Sequence, residues 1–110
     1  MVIHALLFNH ALRYYSDMSI KSFNCKDTER LFQRQRVKRF RNIETVARRK
    51  LEQLDWAGTL DDLRVPPGNR LESLKRDRAG QHSIRINDQF RVCFVWTAEG
   101  PRDVEIVDYH

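Results

Sequence analysis

Cysteine, glycine and proline are scarce in this chain: two, four and three of 110 residues. Cys25 and Cys93 lie far apart with no spacing motif. They give no disulfide framework and fit reduced thiols in the cytosol. Cys93 falls in an apolar strand pattern and reads as filler beside the core. No cluster of Cys, His and acids has ligand spacing, so neither a metal nor another cofactor is expected. No apolar run approaches the ~18 residues of a membrane span, and no membrane partner is expected. Ala5-Leu6-Leu7-Phe8 is apolar but has no basic stretch before it, and Asn9-His10 breaks it. It does not read as a signal peptide, and a cytoplasmic location is expected. There is no internal repeat and no low-complexity tract.

What remains suffices for one domain. Hydrophobic residues make up 41% of the chain, enough for a core, and two Trp, three Tyr and six Phe argue against disorder. Net charge is +5, with a pI of about 9.6. The charge is clustered: from Arg30 to Lys50 there are nine Lys or Arg, and Glu44 is the one acid. Such a stretch suits a nucleic-acid partner, or is simply a solvated basic face.

Residues 1–17 show no sustained period and carry a polar break, so they read as an extension, with the domain covering 18–110. Ser19–Phe23 reads as a strand, although Ile20 and Phe23 do not alternate strictly. Asp27 can cap a short helix through Leu31 and Phe32. Arg34 to Arg41 reads as a loop or frayed helix end. Asn42 can cap the main helix, whose apolar face is Ile43, Val46, Ala47, Leu51 and Leu54 at helical spacing. That helix should end before Gly58, and Thr59 can cap one more turn through Leu63. Pro66-Pro67-Gly68-Asn69 is a hard stop. Beyond it, strands are expected at Leu71–Lys75, His82–Ile86, Phe90–Thr97 and Val104–Tyr109, with turns at Arg76–Gly80 and Ala98–Asp103. Short loops make the last three an antiparallel meander.

The hairpin after Ile86 can be put in register. A three-residue loop, Asn87-Asp88-Gln89, sets Ile86 against Phe90, Ile84 against Val92 and His82 against Phe94. One face is then apolar, and the other pairs Ser83 with Cys93 and Arg85 with Arg91. A two-residue loop would set Ile84 against Arg91 and mix the faces, which a buried sheet face disfavours. In the favoured register two guanidiniums stand directly opposed. That arrangement is destabilising unless it is solvated, has an acid beside it, or binds an anion.

Asp108, Tyr109 and His110 follow the alternating Val104 and Ile106. With these residues in view, the chain from about Met18 to His110 resembles the HigB-type toxins of type II toxin–antitoxin systems, in the RelE/ParE group. The likeness rests on Pro66-Pro67-Gly68-Asn69-Arg70-Leu71-Glu72, on Leu74-Lys75, on the run Arg78 to Arg91, and on Val104-Glu105-Ile106-Val107-Asp108-Tyr109-His110. It implies a small α+β domain with two N-terminal helices packed on a mostly antiparallel sheet, in the order β-α-α-β-β-β-β. It implies an endoribonuclease that cuts messenger RNA in the A site of the small ribosomal subunit. It also implies a cognate HigA-type helix-turn-helix antitoxin, and contact with operator DNA only through the antitoxin complex.

RNA supplies its own nucleophile, the 2′-OH. Cleavage needs a base for that proton, cations for the phosphorane and an acid for the leaving 5′-oxygen. His110, with a reference pKa of ~6.5, can serve as acid or base. Tyr109 can orient phosphate or stack a base. Asp108 can orient His110 or accept a proton. Arg91, Arg85, Lys75, Arg76 and Arg78 are the expected phosphate contacts. Some relatives of this group carry a catalytic His where this chain has Glu72; Glu can replace His as a base but not as a cation, so its role is open. Plainer readings exist for each: a frayed terminal His, a packed Tyr, a surface ion pair at Asp108, edge protection by Lys75. His82, on the apolar face, reads as a core-facing histidine. The alternatives to messenger cleavage are a gyrase-poisoning toxin of the same fold and a non-catalytic RNA-binding regulator.

Overall fold

The apolar face read from the sequence does form a helix, α2 (Glu44–Trp56), which buries Ala47, Leu51 and Leu54. The structure is a computed structural model, and it describes residues 17–109. His110 and nearly all of the expected extension therefore lie outside the described residues. A shorter helix, α1 (Lys26–Phe32), precedes α2. Four strands follow: β1 (Glu72–Ser73), β2 (His82–Arg85), β3 (Phe90–Thr97) and β4 (Gly100–Asp108). They form one sheet in the order β1-β2-β3-β4, every neighbour antiparallel. Ile84, Val92, Phe94, Val104 and Ile106 on one face share the core with Leu31, Phe40, Ala47, Leu51 and Leu54. This is the expected small α+β domain. No helix among the described residues is long and apolar enough to cross a membrane.

Five local expectations are corrected. Ser19–Phe23 makes one parallel bridge, Phe23 to Val104, rather than a full strand. It still lies along β4: the Lys21 and Asn24 amides donate to the carbonyls of Pro101 (2.8 Å) and Val104 (2.9 Å). The basic stretch before α2 is not all loop, because Lys38–Ile43 winds as a 3-10 turn. Val37, Phe40 and Ile43 are buried, and their spacing of three matches that helix's three residues per turn. Neither Asn42 nor Asp27 is a cap. Ile43 and Cys25 hold those positions without side-chain capping bonds, and Asp27 instead accepts from Arg39 at 2.9 Å. The strand expected at Leu71–Lys75 is only two residues long. Finally, β4 begins at Gly100, not Val104, so the turn is Ala98-Glu99. Gly100 has φ +124 and packs so tightly that a Cβ would stand 2.5 Å from the Met18 carbonyl oxygen. A break in pairing between Cys93 and Val95 absorbs Asp103 into the strand, while Pro101 pairs in register with Trp96.

Other expectations hold. α2 stops two residues before Gly58. Thr59 caps Leu60–Arg64 reciprocally with Asp62. Backbone amides of Thr59 and Gly58 donate to the Asp62 carboxylate and hold its pKa below the ordinary value. The Pro66–Asn69 stop has an anchor that the sequence pattern did not disclose. Asn69 is fully buried, donating to the Leu63 carbonyl and to Gln53 Oε1, both at 3.1 Å, and accepting from Lys50 Nζ. Replacing it by alanine strands a buried carbonyl and a half-buried ammonium. Asn69→Ala should destabilise the fold by roughly 1–3 kcal/mol, the usual penalty for orphaned buried polar groups. Urea denaturation measures this, and a loss below about half a kcal/mol would show that solvent replaces the side chain.

Candidate active site

The β2–β3 register is the one favoured from the sequence: His82 opposite Phe94, Ser83 opposite Cys93, Ile84 opposite Val92 and Arg85 opposite Arg91. The face turned away from the helices therefore carries two cross-strand rows. One runs Glu72, Ser83, Cys93, Glu105 across all four strands. The next runs Arg85, Arg91, Val107, and Tyr109 continues the alternation from Val107.

The opposed arginines are relieved by an acid and by carbonyls. Arg85 pairs with Asp88 in the hairpin loop. Arg91 instead donates to the Asn87 carbonyl at 2.6 Å, and its guanidinium lies 5.4 Å from the Tyr109 ring centroid. Among the described residues, no carboxylate pairs with Arg91. The loop is itself braced. Asn87 Oδ1 accepts from the amides of Gln89 (2.9 Å) and Phe90 (2.7 Å). The Tyr109 amide donates to the Gln89 carbonyl at 2.6 Å. Three loop residues thus hold Arg85, Arg91 and Tyr109 together. Pattern reading found the arginines but missed Asn87 and Gln89, since loop carbonyls leave no periodic signal.

Other expected site residues are dispersed. Asp108 pairs with Phe90, which puts it on the opposite parity from Arg91 and Tyr109; its carboxylate accepts from Gln89 Nε2 at 3.1 Å. Glu72 is exposed on the edge strand, on the Arg91 face. Lys75 and Arg76 are exposed beyond the other end of that strand. Arg78 is committed to an internal contact. Its Nη1 donates to Gln81 (3.0 Å) and to Glu105 (3.1 Å), tying the turn before β2 to the far strand. His82 behaves as expected of a packed histidine, its ring stacked 6.2 Å from that of Phe94.

Beneath the Arg78–Glu105 tie, Ser83 and Cys93 are fully buried although they face away from the helices. Burial pushes the Cys93 thiol up to about 11, against the opposing charge of Arg78. Cys25 behaves oppositely. Burial raises it, but hydrogen bonds with Thr28 and the Asp27 backbone, together with the Arg39 charge, outweigh that and leave it below its ordinary value. At pH 8, thiol reagents should label Cys25 well before Cys93. Arg78→Ala should raise the Cys93 rate in protein that remains folded. Equal rates in both proteins, followed by peptide mass spectrometry, would show that Arg78 does not shield the thiol.

The fold and this face together describe a small α+β domain with a cationic, aromatic-flanked sheet face. A chain in the structure of the YoeB-YefM complex from Staphylococcus aureus superposes with a TM-score of 0.54 at 20% identity, over 84% of this chain and 97% of that one. Residues 21–110 match the family model described as HigB-like toxin, the RelE-like toxin HigB of type II toxin–antitoxin systems, and the chain belongs to this family. It is 51% identical over 55 residues to Toxin HigB-1 of Vibrio cholerae, covering 50% of this chain and 58% of that protein. It is 38% identical over 53 residues to an uncharacterized protein of Haemophilus influenzae, covering 48% of this chain and 52% of that one. The chain thus spans little more than half the length of these relatives.

Proposed function

We propose that this toxin is an endoribonuclease that cuts messenger RNA on the translating ribosome. The observation that carries the reading is Arg91: a guanidinium fixed by the Asn87 carbonyl, lying over Tyr109, with no carboxylate pairing it among the described residues. An arginine so held is preorganised for an oxyanion. In the proposed step a base removes the 2′-OH proton, and the 2′-oxygen attacks the adjacent phosphorus. Arg91 stabilises the phosphorane, and an acid protonates the 5′-oxygen as the P–O5′ bond breaks. The products are a 2′,3′-cyclic phosphate and a 5′-hydroxyl. His110 is assigned the acid role. Glu72, exposed on the same face, is the natural partner as base. Tyr109 stacks a base or orients the phosphate, and Asp108 orients the chain end through Gln89. Arg85, already neutralised by Asp88, is a secondary contact.

The proposed partners are the ribosome, the message and a cognate antitoxin, which carries any contact with operator DNA. His110→Gln should lower single-turnover cleavage on programmed ribosomes by roughly 10²–10⁴-fold, the range for general acid–base groups, while binding changes far less. Arg91→Ala should lose activity without losing the fold. A His110→Gln protein that cleaves at the parental rate would end the assignment. Growth inhibition with gyrase-dependent DNA breaks and intact transcripts would replace it with the poisoning alternative.

A further inference from the structure

Among the described residues, four other than glycine hold left-handed backbone: Arg34 (φ 68), Arg70 (φ 47), Arg76 (φ 56) and Asp103 (φ 52). This region is costly for a side chain with a Cβ, and glycine fills it freely. Two of the four have a structural reason to keep their side chains. Arg34 pairs with Glu52 at 2.6 Å. The Asp103 carboxylate accepts from Ser22 Oγ at 3.4 Å, and Asp tolerates this conformation better than most. Arg70 and Arg76 have neither excuse. Both are exposed, and among the described residues neither side chain has a hydrogen-bond or ion-pair partner. Both sit where a glycine would relieve the backbone: Arg70 ends the Pro67–Asn69 turn, and Arg76 opens the turn after Lys75. They stand on either side of the two-residue edge strand that carries Glu72. Strain kept at a cost, without a contact to account for it, points to a function.

We propose that Arg70 and Arg76 form a phosphate-binding rim along the open edge of β1, gripping the RNA backbone that runs past Glu72. This rests on the ribonuclease reading above. Its two ends differ in their distance from the Arg91 centre: the register of Glu72 against Ser83 puts Arg70 toward the Arg85 end of β2, and Arg76 toward the far end. Arg76 lies beyond Lys75 on the connection entering β2 at His82, whereas Arg91 faces Arg85 at the other end of β2. At ~3.3 Å per residue, His82 and Arg85 are about 10 Å apart along the strand. The rim contributes affinity and alignment, and the proton transfers stay with His110 and Glu72. Positive charge with no partner among the described residues at both ends of β1 keeps that edge available to an anionic chain, whereas Arg85 and Arg78 pair with Asp88 and Glu105.

Glycine substitution separates binding from folding. Arg70→Gly and Arg76→Gly each remove a charge and relieve a strained backbone. They should leave the melting temperature unchanged or raise it, and yet weaken binding to ribosomes programmed with a 2′-O-methyl, uncleavable message. The slope of log affinity against log salt should fall by about 0.7 for each arginine, the value for one single-strand phosphate contact. Arg70→Lys and Arg76→Lys should keep most of that slope. Ribosomes with and without message distinguish the source: a loss confined to programmed ribosomes assigns message phosphates, and an equal loss on both assigns ribosomal RNA phosphates. An unchanged salt slope in both glycine variants overturns the rim, as does a marked fall in melting temperature, which would make the arginines structural. Because Arg91→Ala tests the ribonuclease reading separately, intact parental cleavage with an unaltered slope in the glycine variants would sink the rim alone.

Discussion

The contact of Ile84 with Val92 under the helices decides what the outer face of the sheet displays. Their pairing puts the apolar side of the hairpin on α2 and the rest of the core. Strand alternation leaves no choice on the other side: Arg85 meets Arg91, and Ser83 meets Cys93. A slip of one residue would bury guanidiniums against Leu51 and expose Ile84, at a cost of several kcal/mol from lost burial alone. The charged face is thus a by-product of the core, held by forces unrelated to any ligand. A face built this way is set before any ligand arrives, as preorganised electrostatics require.

The cost of opposing two arginines is met unequally. Arg85 takes a carboxylate and is largely neutralised. Arg91 takes a carbonyl and an aromatic face, which orient the guanidinium without cancelling its charge. The distinction matters for chemistry. A cation paired to an acid must break that pair before it can help an anion, whereas one held by neutral dipoles is ready at once. The same division runs through the rest of the surface, where Arg34, Arg39, Arg48 and Arg78 are tied to acids. The abundance of arginine in the sequence therefore overstates the charge free to act, and position decides which residues count.

Much of this was legible in advance for a physical reason. The core face of α2 and the hairpin register follow from burial periodicity, which a sequence displays directly. The Thr59 cap follows from local chemistry. What escaped has no period. The Arg78–Glu105 tie joins residues 27 apart, the Asn87 and Gln89 carbonyls work through backbone, and the Lys38–Ile43 turn has spacing three rather than 3.6. Ala98–Asp103 was read as the turn, yet β4 begins at Gly100 and carries its irregularity opposite Cys93–Val95. Asp108 was grouped with Tyr109 as a neighbour in sequence, although consecutive strand residues face opposite ways.

The segment beside β4 has a consequence for how other chains can engage this one. Ser22 accepts the Val104 amide through its carbonyl and the Asp103 amide through its hydroxyl, and Thr28 accepts the Ile106 amide. These three amides of that margin are spent on the chain's own side chains and backbone. The opposite margin is the two-residue β1, too short to template a partner strand. Along this stretch of β4, strand addition would have to displace these bonds. Edge-to-edge growth of this chain through residues 103–106 is therefore hindered by bonds already made within the molecule.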